Sequence, residues 1–123
     1  MALIMLGAVP LASGADSPAA PDAIATRVQE LLHQRYAARD RLAVIDRVFD
    51  IEKRIGAYRA ARTKTSLIYR LNVDLCVATK DNRIRVQALS ETAMAGAKRY
   101  DLGSGLALSM PAGKLLHEGV SRD

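Results

Sequence analysis

The spacing of apolar residues changes near position 63, from a helical period to a two-residue period. Before this point apolar residues recur every three or four positions, on one stripe of a helix: Val44, Val48, Ile51, Ile55 and Tyr58. After it they occupy every second position: Leu67, Tyr69, Leu71, Val73, Leu75 and Val77. Residues at every second position are expected to lie on one face only in a strand. Ile68 is the one apolar residue among the intervening positions that breaks this alternation. The pattern predicts a helical half followed by a half that forms strands.

The helical half is predicted to be one long amphipathic helix over residues 23–62. Thr26 followed by Gln29 has the spacing of a capping box near its start. Neither Pro nor Gly occurs in this stretch before Gly56, which favours an unbroken helix. Because the middle of the stretch has few apolar residues, the alternative is a helical hairpin with its turn near Ala38 to Asp40.

The second half is predicted to form a hairpin whose turn is the polar cluster Thr79–Asn82. One strand of this hairpin begins at Leu67, and the other contains the alternating residues of the segment 84–88. A further strand is predicted around 105–110, while the residues between the two segments are compatible with a short helix or with a continued strand. The predicted fold class is α+β: one long N-terminal helix, with a break near Ala38 as the alternative, packed on a small antiparallel sheet of two to three strands.

The first fifteen residues have the features of an export signal. Ala2 to Ala12 is an apolar run too short to span a membrane, and small residues follow at 13–15. Cleavage is predicted after Ala15, although no basic residue precedes the apolar run; the alternatives are a buried N-terminal segment and a membrane anchor. Residues 16–22 then form a Pro/Ala linker and 23–123 a single domain. The predicted location is the periplasm or the exterior of the cell.

The chain is basic, with a formal net charge of +5, and the excess is concentrated in the predicted helix. Residues 24–64 carry ten Lys or Arg against five Asp or Glu. Five arginines are predicted to contact an anion or a partner: Arg47, Arg54, Arg70, Arg83 and Arg85. A nucleic-acid ligand is disfavoured because stacking aromatics are sparse and no recognition motif is present. A protein partner, a second copy of the chain or an anionic envelope surface fits better.

The search for catalytic chemistry is negative. The only two histidines, His33 and His117, are far apart, and no metal or cofactor motif has acceptable spacing. The single cysteine, Cys76, cannot form a disulfide within the chain, and pairing between chains is left open. The sequence therefore predicts no catalytic, cofactor or metal residues.

The predicted function is that of a small exported protein that is not an enzyme and acts by contact, through a basic helix or a sheet edge. The first alternative is a small periplasmic enzyme with a basic site between helix and sheet, built from Arg70, Asp74, Arg83 and Arg85. The second alternative is an oligomeric or truncated outer-membrane β protein, in which the apolar face of the strands meets lipid.

Overall fold

The computed structural model describes residues 20–112, which form four α-helices and a three-stranded antiparallel sheet. The helices are α1 (Pro21–Arg35), α2 (Leu42–Arg54), α3 (Ala57–Ala60) and α4 (Lys64–Thr79). The strands are β1 (Arg85–Ala88), β2 (Ala97–Gly103) and β3 (Leu106–Pro111). The predicted α+β class is confirmed. The predicted signal peptide and its cleavage point lie outside the described residues.

The predicted long helix is divided into three helices by two local breaks. The chain becomes extended at Tyr36 and makes a 3₁₀ turn over Arg39–Arg41, so the break near Ala38 is confirmed. Gly56 ends α2 with a φ of +78°, a left-handed conformation that costs glycine little. The predicted capping box at Thr26 is wrong, because α1 begins earlier, with Pro21 in its first turn.

The predicted strand from Leu67 is wrong: this segment is the helix α4. Thr63 and Ser66 form a capping box, in which the Ser66 N–H donates to Thr63 Oγ1 (3.1 Å) and the Thr63 N–H to Ser66 Oγ (3.2 Å). A residue pattern of period two contains every fourth position, so Leu67, Leu71 and Leu75 also share one helix face, which is buried. The predicted turn at 79–82 is instead the end of α4 and the loop that follows.

The sheet has the strand order β1–β3–β2. The strand predicted within 84–88 is confirmed as β1, but its partner is β3 rather than the segment from Leu67, with Val86 opposite Leu108. The strand predicted around 105–110 is confirmed as β3. The strand β2 was not predicted; it pairs with β3 through a two-residue turn at Ser104 and Gly105, both at positive φ.

The segment 89–96, which is neither the predicted helix nor a continued strand, connects β1 to β2 across the outer face of the sheet. Arg99 Nη1 donates to the carbonyl oxygens of Leu89 (3.4 Å) and Glu91 (3.0 Å). Gln87 Nε2 donates to the carbonyl of Thr92 (3.3 Å) from the same face. Ser109 of β3, which lies opposite Arg85 of β1 and Arg99 of β2, is fully buried.

The core lies between the helices and the inner face of the sheet. Helix α4 packs on β1, α1 lies against β2, and α2 packs on both α1 and α4. Aliphatic side chains dominate this core, and its two aromatic members, Phe49 and Tyr58, have ring centroids 5.9 Å apart. This arrangement leaves one side of the α2–α4 pair facing solvent.

Candidate interaction surface

Helix α4 carries two apolar stripes on opposite sides. Leu67, Leu71 and Leu75 point into the core, whereas the interleaved positions 69, 73 and 77 form the second stripe. On that second stripe Tyr69 is 69 % exposed and Val77 is 53 % exposed. The two-residue period in the sequence therefore marks a helix with a buried apolar face and an open one.

Helix α2 adds a second exposed stripe beside the first. Its members are Val44 and Ile51, and it is continued by Ile55, the residue that caps the C-terminus of α2 and is 68 % exposed. The Arg41 guanidinium donates to the carbonyl oxygen of Ala78 at 2.7 and 3.1 Å, joining the start of α2 to the end of α4. The two helices are therefore antiparallel. We call the exposed set the α2–α4 apolar face: Val44, Ile51, Ile55, Tyr69 and Val77.

A buried polar contact fixes α4 against the turn that follows α2. The Tyr58 hydroxyl donates to Asp74 Oδ2 (2.7 Å) in the core, and Arg70 Nη2 lies 3.6 Å from Asp74 Oδ1. Burial raises the pKa of Asp74, while the bond from Tyr58 and the charge of Arg70 oppose that rise. Burial and the bond to Asp74 both raise the pKa of Tyr58, so its phenol remains a donor.

A polar groove of about 480 Å³ separates α1 from α2. His33 Nε2 lies 2.8 Å from Asp46 Oδ2, and Gln29 Nε2 donates to Asp46 Oδ1 (3.0 Å). The Lys53 ammonium donates to Gln29 Oε1 (2.7 Å) and to Thr26 Oγ1 (3.0 Å). These contacts form a continuous hydrogen-bonded network that connects the two helices.

This groove contains acid–base groups without a paired nucleophile in the described part of the chain. Among residues 20–112 the His33 ring makes its hydrogen bond with Asp46, and the Thr26 hydroxyl accepts a hydrogen bond from the Lys53 ammonium instead of facing a base. No group of three or more metal-ligating side chains occurs within residues 20–112. The network adds polar contacts to the apolar packing of α1 on α2.

The five predicted contact arginines do not converge on one site. Arg47 and Arg54 are exposed on α2, seven residues apart, and border the α2–α4 apolar face. Arg70 is half-buried beside Asp74, and Arg83 makes two bonds to Asp81, at 2.8 and 2.9 Å. Arg85 lies on β1, opposite Ser109 of β3. Arg47 and Arg54 are on the same helix as the exposed apolar residues Val44 and Ile51.

The residues proposed for an enzyme site between helix and sheet are also dispersed. Asp74 is in the core, where it accepts the bond from Tyr58. Arg83 is held in the loop before β1 by Asp81, which has a lowered pKa because of the bonds from this arginine. Neither residue faces Arg85 across a cavity in the described residues.

Sequence reasoning missed the contact that occupies the free edge of β1. Asn72 Nδ2 donates to the carbonyl of Val86 (2.9 Å), and the Val86 N–H donates to Asn72 Oδ1 (2.6 Å). One side-chain amide thereby satisfies both backbone groups that a neighbouring strand would use. In the sequence this contact is marked only by a polar residue, Asn72, between the apolar residues Leu71 and Val73. That residue predicts a contact with a strand edge only once α4 is known to lie beside β1.

The family model described as the N-terminal domain of Peptidase_S41 in eukaryotic IRBP matches residues 18–116. No curated protein matches the chain, and no solved structure matches it. Within residues 20–112, no helix has both the length and the apolar character needed to cross a membrane.

Proposed function

Because this chain belongs to the family of N-terminal domains of Peptidase_S41 in eukaryotic IRBP, we propose that it is a non-catalytic domain that binds a peptidase domain of the S41 class. The α2–α4 apolar face is the docking surface. The observation that carries this proposal is the exposure of large apolar side chains on both helices: Val44, Ile51 and Ile55 with α2, and Tyr69 and Val77 on α4.

The chemistry of this face fits a protein partner. Removing an exposed Val or Ile side chain from water contributes about 1.5–3 kcal/mol at full burial, before the entropic cost of association is subtracted. Tyrosine is enriched among the residues that dominate binding energy, and Tyr69 is the most exposed large apolar residue of the face. Arg47 and Arg54 add positive charge beside it, so an apolar patch with an acidic border is the complementary surface.

Fixed helix positions support a binding role, because they hold the exposed apolar side chains in place. The buried pair Tyr58–Asp74 orients α4, and the network around Gln29 holds α1 on α2. These contacts fix the two exposed stripes relative to each other before any partner arrives. A preformed face binds with a smaller loss of conformational freedom.

Export is part of the proposal. The apolar run at 2–12 and the small residues at 13–15 support a cleaved signal, and the family match begins after them, at residue 18. We expect a tagged full-length chain to be found shortened and outside the cytoplasm after fractionation. An uncut cytosolic product would contradict export while leaving the docking proposal testable.

The docking proposal is tested by titrating the purified chain with a recombinant S41 peptidase domain from a protein of the matched family, followed by calorimetry. Tyr69→Asp and Val77→Asp should each weaken binding by about tenfold or more, since each places a charge in a desolvated contact. Leu89→Asp is the matched control, because Leu89 is 39 % exposed but lies on the segment that crosses the sheet. Equal loss in all three variants, or no binding by the unmodified chain, would contradict the proposal.

A further inference from the structure

The outer edge of β2 presents backbone groups that make no bond within the described residues. The Ala112 N–H donates to the carbonyl of Gly96 (3.2 Å), so the even positions of β2 exchange hydrogen bonds with β3. The odd positions 97, 99 and 101 then direct their N–H and C=O groups away from the sheet. The Ala97 N–H bonds to the carbonyl of Met94 (3.1 Å), which leaves both groups of Arg99 and Asp101 open.

The opposite edge of the sheet is not equivalent. The outward backbone groups of Val86 on β1 are already bonded to the Asn72 side chain. A strand added beside β1 would have to displace that amide. Strand addition is therefore directed to β2.

We propose that the β2 edge pairs with the β2 edge of a second copy of this chain, in an antiparallel dimer centred on Tyr100. In this register Arg99 of one copy is opposite Asp101 of the other, on both sides of the two-fold axis. Both residues have outward backbone groups, so each Arg99–Asp101 pair exchanges two backbone hydrogen bonds. Each pair also places opposite charges side by side on one face of the sheet. Because the interface is isologous, the same Arg99–Asp101 contact occurs twice.

The charge order of β2 selects this register over its neighbours. A shift of the partner by two residues in one direction sets Arg99 opposite Arg99, and a shift in the other direction sets Asp101 opposite Asp101. Like charges directly opposite each other destabilise a strand pair. A shift by one residue aligns open backbone groups with groups already bonded to β3.

The two charged side chains can make the pair without losing the contacts that they have. Arg99 uses Nη1 for the carbonyls of Leu89 and Glu91, and no other bond of its guanidinium occurs within residues 20–112. Asp101 accepts a hydrogen bond from the Gly103 N–H through Oδ1 (2.8 Å), so Oδ2 can accept one from the partner's Arg99. Tyr100 lies between them on the inner face, with the Arg35 guanidinium 5.2 Å from its ring centroid.

The proposal concerns a different surface from the α2–α4 apolar face and does not rest on the proposed function. Sedimentation equilibrium of the full chain from about 10 µM to about 1 mM should show the average mass rising from 13.3 kDa towards twice that value, as expected for a small, weak interface. Arg99→Asp and Asp101→Arg should each weaken the dimer by about tenfold or more, because each makes both pairs repulsive. The double variant restores opposite charges and should recover the dimer.

Two controls separate this dimer from other outcomes. Arg85→Asp makes the same charge change on β1 and should leave the dissociation constant unaltered. Amide hydrogen exchange on the unmodified chain should show the N–H groups of Arg99 and Asp101 becoming protected as concentration rises, while other exposed amides do not. A constant monomer mass, a dimer unaffected by either single swap, or no recovery in the double variant would overturn the proposal.

Discussion

The helix pair α2–α4 and the three-stranded sheet face solvent in different ways. The helix pair has an apolar side in the core and another apolar side in water, with Tyr69 and Val77 largely exposed. The sheet has its inner side in the core, and on its outer side Gln87 and Arg99 donate hydrogen bonds to carbonyl groups of the segment 89–96. The helices therefore offer side-chain contacts, whereas the sheet offers backbone groups along β2. Two contacts of different chemistry can coexist on one small domain.

Truncating side chains on the two faces of α4 separately should have the largest and most unequal effects on stability. Leu71→Ala should lower the free energy of unfolding by about 2–5 kcal/mol, since Leu71 is fully buried. Val77→Ala should change it by less than about 0.5 kcal/mol, since Val77 is 53 % exposed. Urea unfolding followed by circular dichroism measures both. Equal losses would mean that the exposed stripe supports the fold.

The buried Tyr58–Asp74 contact tests how firmly α4 is fixed. Tyr58→Phe should cost about 1–3 kcal/mol, because Asp74 Oδ2 loses its donor inside the core. Thermal and urea unfolding at neutral pH measure this loss. Unchanged stability would show that the contact does not orient the helix.

The same contact predicts a pH dependence whose sign follows from burial. Because the pKa of Asp74 is raised in the folded chain, the folded state keeps a proton that the unfolded state has lost. Stability should therefore fall as pH rises above the ordinary value of 3.8 and level off above the folded pKa. Asp74→Asn should abolish this decline, as unfolding measured across pH 3 to 8 would show. A stability that rises over the same window in the unmodified chain, and not in the variant, would contradict the assignment.

Removing the Asn72 amide sharpens the difference between the two sheet edges. Asn72→Ala leaves both outward backbone groups of Val86 without their partner, at a cost of about 1–3 kcal/mol. It also opens a second edge, so we expect species larger than a dimer in sedimentation at high concentration. Asn72→Asp separates the two hydrogen bonds, since a carboxylate can accept one from the Val86 N–H but cannot donate one to the Val86 carbonyl.

The smallest expected effect concerns the loop between α4 and β1. Arg83 lowers the pKa of Asp81, so the pair stabilises the fold above pH 3.8, and this contribution is lost as pH falls through the folded pKa. Because Arg83 is largely exposed, Arg83→Ala should cost less than about 1 kcal/mol at neutral pH. Unfolding in high salt should reduce the difference further, whereas a difference that grows with salt would exclude an electrostatic origin.

The sequence predicts an element correctly where its local pattern is compatible with one type of secondary structure. The alternation of Leu106, Leu108 and Met110 predicts a strand around 105–110, and β3 occupies that segment. The alternation from Leu67 has two meanings, since a strand and a helix with two apolar stripes share it. The capping box at Thr63 and Ser66 distinguishes them, and that signal was missed. The strand β2 has only Tyr100 and Leu102 as large apolar residues, so nothing local predicts it.

The candidate surfaces depend on tertiary structure for the same reason. Arg47 and Arg54 could be placed on one helix from their spacing, but the apolar face beside them emerges only when α4 is a helix. The capped edge at Val86 requires a side chain fourteen residues earlier in the chain. Such contacts between distant segments are invisible to a local pattern.

Amide hydrogen exchange of the chain, with and without a recombinant S41 peptidase domain, would show which face of the domain contacts the partner. We expect slower exchange along α2 and α4, centred on Tyr69 and Val77, with β1 and the segment 89–96 unchanged. Protection confined to the sheet, or none at a concentration where the two domains bind, would contradict docking through the α2–α4 apolar face.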